Sequence, residues 1–116
     1  MYIQGAVLPV KTAQKADYVK LVAAMFEVMK DYGAISTVEA WGDDVPMGEN
    51  TSFPQALKLE SDETVVLSWL VFPDKAARDR CMNEGMQDPR LGEIFSAMPI
   101  DGQRMIWGGF ESILEA

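Results

Sequence analysis

TVVLSWLVF, residues 64–72, is apolar on both phases of the two-residue strand period from Val65 onward, interrupted only by Ser68. A strand of that pattern needs cover on both faces, so it belongs at the centre of a sheet. Pro73 and Asp74 end it and open a helix, with Asp74 as the N-cap and Ala77, Cys81, Met82 and Met86 on its inner side. On the other flank, the acidic turn ESDE separates it from QALKL, residues 55–59, which reads as a minor strand.

Further out, ISTVEAW (35–41) is β-branched and aromatic, which makes it a strand. YIQGAVLP (2–9) is a strand that ends at a proline. Between them Tyr18, Val22, Met25, Met29 and Tyr32 recur at helical spacing, predicting a helix over 13–32 with Thr12 at its N-cap and Gly33 as its stop. DPRLGEIF (88–95) starts with a capping Asp and a Pro at the first helical position, so it adds one or two helical turns. RMIWGGFESIL (104–114) reads as a closing strand, with Gly108 and Gly109 marking a bulge or a close backbone approach.

The order strand, helix, strand, strand, helix, strand defines an α+β class: a ferredoxin-like βαββαβ antiparallel sheet with both helices on one face, in one domain spanning 1–116. The other face is left bare, and the 64–72 strand has no polar phase to offer water. A second copy of the same sheet is the expected cover, giving a two-fold homodimer.

Composition narrows the function classes. Ten basic against eighteen acidic residues give a net charge of −8, the wrong sign for nucleic acid or an anionic membrane. The basic groups Arg78/Arg80 and Lys11/Lys15 are not interleaved with aromatics, so no nucleic-acid and no membrane partner is expected. The opening MYIQGAVLPVK has no basic leader and no long apolar stretch, and a lone cysteine, Cys81, cannot form an internal disulfide; together these predict a cytoplasmic protein.

The chain contains no histidine, which removes the proximal haem ligand, the Ser-His and Cys-His pairs and the commonest transition-metal ligand. No cofactor and no metal are expected. Asp43, Asp44 and Glu49 lack the alternating spacing of a calcium loop. Asp43 and Asp44 either hold loop backbone groups or line a cleft, and as neighbours at a strand end they face opposite ways rather than sharing a proton. Arg104 either closes an internal ion pair with Asp101 or a carboxylate of the 42–54 loop, or binds an anionic ligand. Trp41, Trp69 and Trp107 pack in the core or at a dimer interface, or else wall an aromatic pocket between sheet and helices that eight methionines would make adaptable.

Four stretches carry a resemblance across the whole chain: GDDVPMGENTSFP (42–54), VVLSWLVFPDKAARD (65–79), DPR (88–90) and MPIDGQRMIWGGFE (98–111). Together they resemble the YbaA-like bacterial family, the domain of unknown function numbered 1428. The resemblance implies the dimeric α+β barrel fold and no established activity. Glu49, Asp74, Ile100 and Gln103 depart from that pattern.

Three expectations follow. The first is a homodimer binding a small aromatic or amphipathic molecule in a cleft between sheet and helices, with Trp41, Asp43, Asp44, Arg104 and Trp107 as candidate ligand-binding residues. The second is a cofactor-free monooxygenase- or isomerase-like enzyme in which one Asp is the base. The third is an interaction module without a ligand.

Overall fold

The computed structural model describes residues 1–116. Four strands, β1 (Tyr2–Lys11), β2 (Ser36–Trp41), β3 (Glu63–Phe72) and β4 (Ile106–Glu111), form one antiparallel sheet in the order β2-β3-β1-β4. The helices are α1 (Lys15–Lys30), α2 (Phe53–Leu57), α3 (Lys75–Asn83) and α4 (Pro89–Ala97). This is the ferredoxin-like α+β fold, and the 64–72 stretch is a central strand of it, as its double-phase apolar pattern requires.

Alternation divides the sheet into two surfaces. Leu8 and Val10 of β1 with Val66, Leu70 and Phe72 of β3 point toward the helices, where they pack with Tyr18, Val22, Met25 and Met29 of α1, Cys81 of α3 and Leu91 of α4. Burial also pushes the Cys81 thiol pKa up, in keeping with a packed side chain. The opposite phase, Val7, Val38, Leu67, Trp69, Ile106 and Phe110, points away from them. There Val38 and Leu67 are each 41% exposed and Phe110 59%.

Local chemistry accounts for the element ends. Asp74 caps α3 by accepting from the Ala77 N–H at 2.8 Å, and Asp88 caps α4 by accepting from the Arg90 N–H at 3.0 Å, with Pro89 in the first turn. Gly33 leaves α1 at φ +101°, a conformation that favours glycine. β1 runs through Pro9 instead of ending there. Lys11 N–H, two residues on, points to Pro99 O on the β4 side, so the N–H that Pro9 lacks would also face that side, where β4 pairing has already stopped at Val7.

Two expected elements differ. The 55–59 strand is replaced by α2: Ser52 accepts from the Gln55 N–H at 3.1 Å, Pro54 fits the first turn, and Lys58 closes the helix in the left-handed region at φ 52°. A local cap and stop outweigh the alternation of QALKL. β4 contains no bulge, since Gly108 and Gly109 pair in unbroken register with Gly5 and Gln4. Gly109 is instead a close-approach glycine: a side-chain carbon there would collide with the Tyr2 hydroxyl and the Arg78 guanidinium.

Candidate functional site

Small residues in mid-sheet leave a hollow under the helices. In register, Glu39 of β2 lies beside Ser68 of β3, Ser68 beside Ala6 of β1, and Ala6 beside Trp107 of β4. All four are on the helix side, and three strand spacings set the ends of this row about 14 Å apart. Ala6 and Ser68 do not reach the helices, and a cleft of about 790 Å³ remains above them. Six of the eight methionines of the chain wall it: Met25 and Met29 from α1, Met82 from α3, and Met86, Met98 and Met105 from the connections. Its size is within the range of small-molecule pockets, and flexible thioethers suit an occupant of variable shape.

Polar groups are few: Asn83 lines the cleft from α3, and the others gather around Glu39 and Arg78. Glu39 Oε2 accepts from the buried Tyr18 hydroxyl at 2.8 Å, and Glu39 Oε1 accepts from the Ser68 hydroxyl at 2.9 Å. Burial raises the Glu39 pKa above the usual carboxylate value, and the two hydrogen bonds oppose that rise only in part. Tyr18 is pushed well above an ordinary phenol by burial and by the adjacent carboxylate. At the other end Arg78 donates to Gln4 Oε1 at 2.8 Å, to Asp79 Oδ1 at 2.9 Å and to the Tyr2 hydroxyl at 3.3 Å, with its guanidinium 4.9 Å from the Tyr2 ring centroid. No cluster of three or more carboxylate or thiol groups is arranged to hold a metal ion.

Of the five residues singled out from the sequence, Trp107 lines the cleft at its rim. Trp41, Asp43, Asp44 and Arg104 are not among the lining residues. Trp41 packs against the core with the Lys15 ammonium 5.1 Å from its ring centroid. Asp43 and Asp44 are exposed in the 42–54 connection, which is fastened by Gln55 donating to Met47 O at 2.7 Å and by Gly48 at φ +67°. Arg104 forks onto Glu63, with Nη1 to Oε1 at 2.7 Å and Nη2 to Oε2 at 2.5 Å, while Nε donates to Asp101 at 3.0 Å and Nη1 also to Lys58 O at 3.1 Å. The Arg104 hydrogen bonds hold the Glu63 pKa down at about 2, although its side chain is only 2% exposed. Arg104 thereby joins the end of α2 to the start of β3.

Glu39, Tyr18, Ser68 and Arg78 were not among the sequence candidates. Two signals pointed to them: Ser68 is the one interruption of the Val65–Phe72 run, and Glu39 shares a strand phase with Trp41 rather than with Val38. Tyr18 was legible only as a core position, and nothing local marked Arg78 as the partner of Gln4, 74 residues away.

A ferredoxin-like sheet with a methionine-lined cleft on its helix side is thus the class of protein that fold and site define. The chain belongs to the DUF1428 family of proteins of unknown function, whose profile matches residues 1–102. It is 43% identical to the uncharacterised protein YbaA of Escherichia coli K12 over 114 residues, covering 98% of this chain and 97% of that one. Among solved structures it is similar to a dimeric ferredoxin-like protein from an uncultured marine organism, with TM-score 0.64, 7% identity, and coverage of 100% of this chain and 98% of that one. An antibiotic biosynthesis monooxygenase is similar at TM-score 0.54 and 12% identity, with coverage of 98% and 100%. At these identities the two structures speak to fold. No helix is long and apolar enough to cross a membrane.

Proposed function

We propose that this protein is a cytoplasmic homodimer of single-domain subunits, each binding a small aromatic or amphipathic molecule in the cleft between sheet and helices. The observation that carries the reading is the cleft itself: about 790 Å³, walled mostly by apolar side chains, with few hydrogen-bonding groups, chiefly those around Glu39 and Arg78. Trp107 at its rim offers a stacking surface. The homodimer is supported by the apolar outer phase of the sheet, where Val38, Leu67, Ile106 and Phe110 are exposed on one face. A cytoplasmic location agrees with a single, buried, unpaired cysteine.

A thermal-shift screen of aromatic acids, aromatic amines, quinols and nucleotides tests this, because a ligand of the folded state raises Tm by mass action. The wild type is compared with Ala6→Leu, which fills the cleft floor. Shifts seen in the wild type and lost in Ala6→Leu support the cleft as the site. Equal shifts in both proteins count against it.

A second reading, a cofactor-free monooxygenase- or isomerase-like enzyme, draws on one observation. Glu39 is a carboxylate of raised pKa at the floor of an apolar cleft, with a phenol and a hydroxyl on its oxygens. In that case Glu39, rather than an Asp of the 42–54 connection, is the proton acceptor. Loss of turnover in Glu39→Gln with ligand affinity retained would distinguish catalysis from binding alone.

A further inference from the structure

We propose that the cleft takes an amphipathic amine, its protonated nitrogen on the Glu39 carboxylate and its apolar or aromatic body along the methionine wall toward Trp107. This rests on the cleft being a small-molecule site and adds the chemical class of the occupant.

Glu39 is a carboxylate without a counter-ion. None of the ion pairs of the chain includes it, Lys15 is placed over the Trp41 ring, and Arg78 is committed to Asp79, Gln4 and Tyr2. Tyr18 and Ser68 supply one hydrogen bond to each oxygen, but an ionised carboxylate has about four acceptor sites, so capacity remains on both. A carboxylate held in apolar surroundings without a cation gains most from one that arrives with its own hydrogen-bond donors, because the local dielectric is low. An ammonium group supplies both the charge and the donors.

The rest of the cleft agrees in sign and shape. Its charged lining residues are Glu39, Asp79 and Arg78, so it carries one net negative charge, inside a chain of net charge −8 whose field favours cations. An anionic occupant would have to compete with Asp79 for Arg78 and then face Glu39. Between the polar ends the floor is Ala6 and Ser68 and the walls are thioethers, with room for a hydrocarbon or ring system up to the Trp107 indole.

Three probes with one indole body and different tails decide the matter by isothermal titration: tryptamine (cationic), tryptophol (neutral) and indole-3-propionate (anionic), each with the wild type and Glu39→Gln. The expected result is tryptamine binding about tenfold or more tightly than tryptophol, as a charge-assisted hydrogen bond implies. Glu39→Gln should erase that preference. Equal affinities for tryptamine and tryptophol, a preference that survives in Glu39→Gln, or tightest binding of indole-3-propionate would each overturn the amine assignment. The wild-type comparison needs no variant, so it decides even where Glu39→Gln does not fold. Binding of the neutral dye Nile red separates the two levels: dye uptake with no indole binding removes the amine assignment alone, while absence of both removes the cleft as a ligand site.

Discussion

The helix side of the sheet and its open side are built from the same four strands, yet they follow different rules. Toward the helices, the mid-sheet row runs Glu39, Ser68, Ala6, Trp107: a charge, a hydroxyl, a methyl and an indole around a hollow. Toward the open side, the neighbouring positions are Val38, Leu67, Trp69, Val7, Ile106 and Phe110, with the charged residues Lys11 and Glu63 only at the end where α2 lies against β1. Small residues with a few directed polar groups suit an occupant that comes and goes. A continuous apolar layer suits a partner that stays.

The sharpest way to break that contrast is to charge the open side. Leu67→Lys would bury an ammonium in the proposed subunit contact, a cost of several kcal/mol that weakens dimerisation by about 100-fold or more. Sedimentation velocity at micromolar concentration should show a dimer for the wild type and a folded monomer for Leu67→Lys. A wild-type monomer would remove the assignment of the open side.

Next in size is the ion pair that anchors the covered end. Glu63→Gln replaces the doubly bonded carboxylate facing Arg104 and should cost about 2–3 kcal/mol in urea unfolding. The wild type carries a pH signature of the same pair. Because Glu63 titrates near 2 when folded and near 4.5 when unfolded, the unfolded chain binds more protons in between, so this contribution is complete above pH 4.5 and is lost as the pH falls toward 2. Glu63→Gln should lack that acid loss.

Glu39 should behave in the opposite sense. Its folded pKa is raised, so the folded chain holds the proton longer, and its contribution is greatest below the ordinary carboxylate pKa and declines as pH rises through the folded one. Glu39→Gln should flatten that decline while differing from the wild type by about 1 kcal/mol or less. Opposite slopes for Glu63 and Glu39 in paired pH–stability curves would separate a carboxylate that holds the fold from one kept for a ligand.

The smallest effect is expected at Gly109. A methyl there displaces the Tyr2 hydroxyl and the Arg78 guanidinium at the cost of the Arg78–Gln4 hydrogen bond, and the reduced freedom of the unfolded chain offsets part of that, so Gly109→Ala should change stability by about 0.5 kcal/mol or less. It should nevertheless break the Arg78–Gln4 hydrogen bond, visible as a shifted Arg78 side-chain NMR resonance.

How far the sequence led can be judged from the same residues. Val65–Phe72 forces a central strand because apolar side chains on both phases have no other stable place, and the element order around it then admits few topologies. The aspartate caps were equally legible, since Asp74 and Asp88 act within three residues of themselves, whereas Thr12 does not cap α1: its hydroxyl pairs with that of Thr64, and Gln14 stands at the N-cap. QALKL was not, because Ser52 and Pro54, outside the window, and the left-handed conformation of Lys58 within it decide its conformation. The cleft was legible as a location but not as a set of side chains. Glu39 meets Tyr18 and Ser68 only through strand register and helix placement, and Arg104 meets Glu63 across 41 positions. Residue types marked Asp43, Asp44, Trp41 and Arg104 as chemically capable, whereas the cleft lining depends on which strand phase faces the helices.

Titration of Nile red into the wild type and Ala6→Leu tests most directly that the two sides of the sheet have different roles. The dye should saturate the wild type at one per chain and fail to bind Ala6→Leu, whose new side chain occupies the cleft floor. Undiminished binding to Ala6→Leu would place the dye on the open apolar side and contradict the account.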